Sequence, residues 1–237
     1  MIQKEILKNG AAAFGAVLDN TALDRFNKYA ERLIETNQHL NLTAITEPDE
    51  VVTKHFLDSL SILRFITPKA NVKLIDIGTG AGFPGTSLLI ARPDLQVTLL
   101  DSTKKKLYFI EETLAEIGLS AEFLHSRAEE AGQRSEYREQ FDFATARAVA
   151  NLRELCEYCL PFVKLGGTFI AMKSQKTEEE LEGARNAIHL LGGKIEAVHT
   201  FSLADAGERT IILIKKLSHT PPKYPRPSAK IAKQPLR

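Results

Sequence analysis

A chain of 237 residues is long enough for one α/β domain with an extension and short for two. With 43% hydrophobic and 26% charged residues it excludes a disordered protein, and a net charge of +1 does not mark a nucleic-acid binder. Two cysteines exclude a disulfide framework and suit a reducing cytoplasm.

The first residues, Met1 to Glu5, already mix charges with apolar side chains. They lack the apolar core of a signal peptide, and no later stretch approaches a membrane span. A soluble, cytoplasmic, monomeric protein with no membrane partner is expected. The segment as far as about Phe65 has helical spacing. Thr21 looks like a helix cap, and Leu23, Phe26, Ala30 and Leu33 then form one apolar face. A second helix start falls at Thr46-Glu47-Pro48-Asp49, because proline is tolerated in a first turn. Val51, Val52, His55, Phe56, Leu60 and Leu63 give it a broad apolar face.

The pattern changes at Val72. Short apolar runs follow at 72–78 (VKLIDIG), 97–101 (VTLLD), 121–125 (AEFLH), 141–148 (FDFATARA) and 168–173 (TFIAMK), with helical stretches between them. Strands alternating with helices predict a parallel sheet with right-handed crossovers. Two last runs, 194–202 and 209–216, are separated by too few residues for a crossover helix, so the last strand must return antiparallel. Cys156 and Cys159 lie within a helical run over 151–163 and read as packing residues, with no second pair to complete a zinc site. From residue 215 to the end there are seven Lys and Arg and no Asp or Glu, which leaves −6 on the rest of the chain. An acidic body with a basic tail suits an RNA ligand or is a solvated solubility tail. The expected organisation is a helical extension, 1–67, packed on a core, 68–217, and a basic Pro/Lys-rich tail, 218–237.

The loop Asp76-Ile77-Gly78-Thr79-Gly80-Ala81-Gly82 closes the first strand. Its glycines let the backbone approach a ligand beyond the carboxyl ends of the strands. Two cofactors compete for it, since Gly80 to Gly85 also fits the dinucleotide pattern G-x-G-x-x-G. Asp76 disfavours a pyrophosphate and suits the cationic groups of S-adenosylmethionine, directly or through water. The closing antiparallel hairpin points the same way. Asp101, at the end of the second strand, can hold ribose hydroxyls with either cofactor. Ala128 and Glu129 can pair an adenine edge, although Glu129 is equally a solvated helix-start acid. Phe83 packs on the cofactor or in the core.

The fourth strand ends in Ala144-Thr145-Ala146-Arg147-Ala148-Val149. It contains no Asn/Asp-Pro-Pro-aromatic motif for amine methylation, no cysteine in a proline loop for attack on a pyrimidine carbon, and no acidic cluster for Mg²⁺. Arg147 remains. It suits a phosphate or the O6/N7 edge of guanine, or else it is an ion-pair partner of Glu154 or another acid. Guanine N7 needs no general base, because its lone pair carries no proton.

Several segments together resemble a known family. They are Asn41-Leu42-Thr43, His55-Phe56-Leu57-Asp58-Ser59-Leu60, the loop from Asp76 to Gly85, Ser126-Arg127-Ala128-Glu129 and Arg147-Ala148-Val149. The chain is similar over nearly its whole length to the RsmG family, also called glucose-inhibited division protein B. The resemblance implies a class I S-adenosylmethionine-dependent methyltransferase with a Rossmann-like sheet, which methylates guanine N7 in the 530 loop of bacterial 16S rRNA without a metal. It implies Gly78, Phe83, Ala128, Glu129 and Arg147 as cofactor contacts, beside Asp76 and Gly80, with Asp101 and Ser102 on the ribose side. His55 and Lys173 become candidates for RNA contact with Arg147. One departure is Ser174, where the family often carries glycine. The partner implied is 16S rRNA in the small subunit or an assembly intermediate. Two other functions stay open, a small-molecule methyltransferase and a non-catalytic rRNA-binding module of the same fold.

Overall fold

Seven apolar runs become the strands of one sheet in the computed structural model, which describes residues 1–147, 150–174 and 178–236. Ala148 and Val149, expected to extend the fourth strand and its motif, lie outside the described residues, as does Arg237 at the end of the tail. The strands are β1 (Lys73–Ile77), β2 (Gln96–Asp101), β3 (Glu122–His125), β4 (Phe141–Arg147), β5 (Val163–Lys173), β6 (Gly193–Leu203) and β7 (Gly207–Lys216). Their order is β3-β2-β1-β4-β5-β7-β6. Strands β1 to β5 run parallel, and β7 pairs antiparallel with both β5 and β6. The mostly parallel sheet with an antiparallel C-terminal strand is as expected. The chain passes from β1 to β2 and β3 on one side and then crosses from β3 to β4 on the other side of β1, so the carboxyl ends of β1 and β4 form the switch point at which open α/β sheets bind ligands.

Two cores sandwich the sheet. On one face the helix Asn20–Asn37 buries Leu23, Phe26, Tyr29, Ala30 and Leu33 against Phe56, Phe83, Leu99 and Phe109. This helix thereby covers one face of the sheet. Its start differs from expectation: Asp19 caps the helix, accepting from the Ala22 N–H at 2.7 Å, and Thr21 lies inside the first turn. Pro48 opens a second helical run that reaches Arg64 through a π-helical stretch, Val52–Leu57. On the other face the helices Leu152–Cys159 and Glu178–Leu190 cover Ile75, Phe162 and Phe169. Cys156 and Cys159 are fully buried there, and burial pushes both thiols up in pKa, so they pack. The helical run expected over 151–163 is present as Leu152–Cys159 and a 3-10 turn, Leu160–Phe162, but β5 starts five residues earlier than expected. Val163 already pairs with Phe141, and β5 begins there. The reason lies at Gly166 and Gly167: Gly166 has φ +77°, and a Cβ on Gly167 would stand 2.7 Å from the Asp142 carbonyl oxygen. Spacing alone does not see that close approach.

Candidate active site

The glycine loop is built from beneath by Asp76. Its carboxylate is fully buried. Oδ2 accepts from Thr79 Oγ1 at 2.7 Å and the Gly85 N–H at 3.0 Å, and Oδ1 accepts from Thr145 Oγ1 at 3.0 Å. Thr145 is the β4 residue in register with Asp76. Burial raises the Asp76 pKa, and these three donors oppose the rise. Asp76 therefore shapes the loop from within, its buried oxygens taken up by donors of the loop and of β4. Gly82 and Gly85 are required by packing. A Cβ on Gly82 would lie 2.1 Å from Thr86 Oγ1 and 2.4 Å from Tyr29 Oη; one on Gly85 would lie 2.9 Å from Asp76 Cβ. Tyr29 Oη donates to the Ala81 carbonyl at 2.8 Å, so the N-terminal helix clamps the loop. Asp101 does so from β2, accepting from the Gly80 N–H at 2.9 Å and the Thr103 N–H at 2.8 Å.

Two cavities open at the carboxyl ends of the strands. The first, of about 280 Å³, lies beyond β1 to β3. Gly78, Asp101, Ser102, Ala128 and Glu129 line it together, as do Glu154, Tyr158 and Ser228. Gly78 has φ +69°, which brings backbone to the wall where an ordinary residue would be strained. Among the described residues, Asp101, Glu129 and Glu154 face this space against one cation, Arg127. That balance suits a ligand with cationic groups and a ribose, and it opposes a pyrophosphate. The carboxylates that line this cavity are thus Asp101, Glu129 and Glu154, and Asp76 lies behind the loop.

The second cavity, of about 300 Å³, lies beyond β4 and β5. It is lined by Lys54, His55, Arg147, Lys173 and Arg209, with Asp58 among them. Asp58 is 4% exposed and bridges two guanidinium groups. Its Oδ2 accepts from Arg147 at 2.9 Å and its Oδ1 from Arg209 Nε at 2.8 Å. Arg147 also donates to the Lys54 carbonyl at 3.2 Å and to His55 Nδ1 at 3.2 Å. Arginine has no acceptor, so Nδ1 must be the unprotonated nitrogen of His55. The ring proton then sits on Nε2 and is donated to Thr43 Oγ1 at 2.8 Å. Thr43 is held by Asn37, whose Oδ1 accepts from the Leu42 N–H at 2.6 Å and the Thr43 N–H at 2.9 Å. Burial first, then the Arg147 charge, lower the His55 pKa to about 3. His55 is neutral, and its lone pair is occupied. Lys173 Nζ donates to Glu180 at 2.8 Å and to the Ala150 carbonyl at 3.0 Å.

The candidate residues thus divide. Gly78, Asp101, Ser102, Ala128 and Glu129 meet at the first cavity; Arg147, His55 and Lys173 meet at the second. Asp76, Gly80 and Phe83 line neither and build the loop between them. Phe83 is 4% exposed, stacks on His55 with ring centres 4.5 Å apart, and lies 5.2 Å from the Arg147 guanidinium carbon. It packs in the core, the commoner of its two expected roles. Glu154 and Tyr158 line the first cavity unforeseen, although their i, i+4 spacing puts them on one helix face. Arg209, in sequence only the first residue of a strand, and Lys54 line the second cavity with no local signal to mark them.

Comparison with known proteins bears on this geometry. Residues 22–212 match the family model GidB, described as rRNA small subunit methyltransferase G. A ribosomal RNA small subunit methyltransferase G from Acetivibrio thermocellus is 48% identical, the match covering 98% of this chain and 96% of that protein. One of the same name from Alkaliphilus oremlandii is 46% identical over 99% of both. Among solved structures, an S-adenosylmethionine-dependent O-methyltransferase from Thermotoga maritima superposes with a TM-score of 0.53 at 16% identity, covering 79% of this chain and 72% of that one. The [4+2]-cyclase SpnF superposes with a TM-score of 0.54 at 17% identity, covering 68% and 82%. Likeness at that level fixes the fold alone.

Proposed function

Because the chain belongs to the rRNA small subunit methyltransferase G family, we propose that it transfers the methyl group of S-adenosylmethionine to N7 of a guanine in the 530 loop of 16S rRNA. The observation that carries this reading is the pairing of a carboxylate-lined cavity with a guanidinium-lined one at the carboxyl end of one sheet. In it Asp101 and Ser102 hold the ribose of the donor, Ala128 and Glu129 the adenine edge, and Gly78 gives the backbone room. Bound S-adenosylmethionine supplies an electrophilic methyl group on a sulfonium. Arg147 serves the acceptor side. Asp58 and His55 fix its plane, so its remaining N–H groups can meet the guanine O6/N7 edge in one orientation. The N7 lone pair carries no proton, so no side chain need remove one. His55 fits that chemistry: it is neutral, and it supports Arg147 with the lone pair a base would use. Lys54, Lys173 and Arg209 surround the acceptor with positive charge suited to the rRNA backbone.

The protein acts in this reading as a cytoplasmic monomer on the small subunit or an assembly intermediate. Among the described residues no helix is long and apolar enough to cross a membrane. The test is mass mapping of 16S rRNA from a strain lacking the gene. Loss of 7-methylguanosine from the 530 loop, restored by the gene, is the expected result; a modification that survives deletion would sink the assignment. A methyl-transfer assay with small subunits, naked 16S rRNA and metabolite pools then identifies the form of the acceptor.

A further inference from the structure

The segment 218–236 lies beyond the family-model match, which ends at residue 212. Its charge suggested a free basic arm, yet it is tied down along its length. Arg138 donates to the carbonyl oxygens of Thr220 at 2.7 Å and Tyr224 at 2.8 Å, and Gln133 donates to that of Pro225 at 2.9 Å. Tyr224, Ile231 and Leu236 are buried. The main anchor is Arg226. Its backbone N–H and Nε reach Glu157 Oε1 at 2.9 and 2.8 Å, and its terminal nitrogen reaches Oε2 at 2.7 Å. Glu157 is fully buried, so Arg226 neutralises it and is not free for phosphate. Glu157 sits on the same short helix as Glu154 and Tyr158, both of which line the carboxylate-rich cavity. Two residues past the anchor, Ser228 lines that cavity too. Arg127, Glu129 and Ser228 also line a groove between the strap and the turn after β3.

We propose that the C-terminal strap is the outer wall of the cavity for the adenosine half of the methyl donor, with Ser228 as the wall residue and the Arg226–Glu157 pair as its anchor. The inference rests on the Gly78–Asp101 cavity being the donor's site. It assigns to the strap a positioning role in donor binding, where charge alone left an RNA arm and a solvated tail open.

Calorimetric binding of S-adenosylhomocysteine to the full chain tests it. Ser228→Phe fills the wall without touching the anchor. It weakens binding at least about tenfold and raises the donor KM, while kcat at saturating donor and the thermal midpoint stay near those of the parent. Lys230→Ala, an exposed change on the same segment, leaves binding unchanged. Arg226→Leu loses both binding and stability. Asp101→Asn separates the two readings. If it weakens binding and Ser228→Phe does not, the strap inference is overturned and the cavity stands. If neither substitution changes binding, the cavity is not the donor's site and both readings fall.

Discussion

Arg147 ends a chain of polar contacts that starts at Asn37 and passes through Thr43 and His55. The state of His55 follows from this chain and has a measurable consequence. In the unfolded protein its pKa is the ordinary 6.5; in the fold it is about 3. The unfolded chain therefore takes up the proton first. The stability this residue contributes is complete above pH 6.5 and is lost as pH falls toward 3, by up to about 1.4 kcal/mol per pH unit. Urea unfolding at pH 7 and pH 5 is expected to show roughly 2 kcal/mol less acid sensitivity in His55→Gln than in the parent chain; an equal loss in both would remove His55 from the account. Asp58 gives a second case. Asp58→Asn leaves two largely buried guanidinium groups with no counter-charge and is expected to cost about 3 kcal/mol of stability. Methyl transfer to rRNA falls with it, while S-adenosylhomocysteine still binds. A parallel loss of that binding would place Asp58 on the donor side. Arg147 itself was legible, as a cation at a strand end. Its partner was not, because Asp58 lies 89 residues away and Glu154 was the acid in view.

The strands were the most legible elements, since apolar runs ending in glycine or aspartate follow directly from parallel pairing at a buried sheet. The antiparallel β7 was legible from the shortness of the gap before it. Two features escaped. The start of β5 depends on a contact between Gly167 and Asp142 that no periodicity encodes, and the π-helical stretch carrying His55 has the same apolar spacing as an ordinary helix. Within the glycine loop the three alternate glycines look equivalent in sequence and are not so in space. Gly80 has φ +60°, with only the Gly78 carbonyl oxygen 3.9 Å from its Cβ position. Gly82 has φ +95° and is blocked by Thr86 and Tyr29. Gly80→Ala should therefore cost about 1 kcal/mol, for the left-handed backbone alone. Gly82→Ala should cost roughly 3 kcal/mol and weaken donor binding as well, because the Tyr29 clamp must move. Denaturant unfolding of the two variants decides; equal costs would mean that the crowding at Gly82 relaxes freely.

At the scale of the whole molecule the contrast between an acidic body and a basic tail is smaller than the count suggests. Lys216 is fully buried against Glu139, and Arg226 is paired with Glu157. Burial is the cause that lowers the Lys216 pKa to about 8. A charge count treats both residues as solvated, and nothing local in the sequence says otherwise, because Glu139 and Glu157 are distant in the chain. Lys223, Lys230 and Lys233 are the exposed cations of the described tail. Truncation after Leu217 is consequently a poor test of an RNA role. It would uncover Tyr224, Ile231 and Leu236 and leave Glu157 buried and unpaired, a loss of roughly 3–5 kcal/mol from the charge alone. Replacing the three exposed lysines by alanine is the cleaner experiment, since it leaves the anchor and the donor cavity in place. If those lysines meet rRNA phosphates, the slope of log affinity against log salt becomes shallower by about 0.7 to 0.9 for each phosphate that is no longer neutralised, with no change in thermal midpoint or donor binding. If the slope is unchanged, the salt-dependent grip on rRNA belongs to the cavity of Lys54, Arg147, Lys173 and Arg209. Lys54→Ala should then make the slope shallower where the triple tail variant did not.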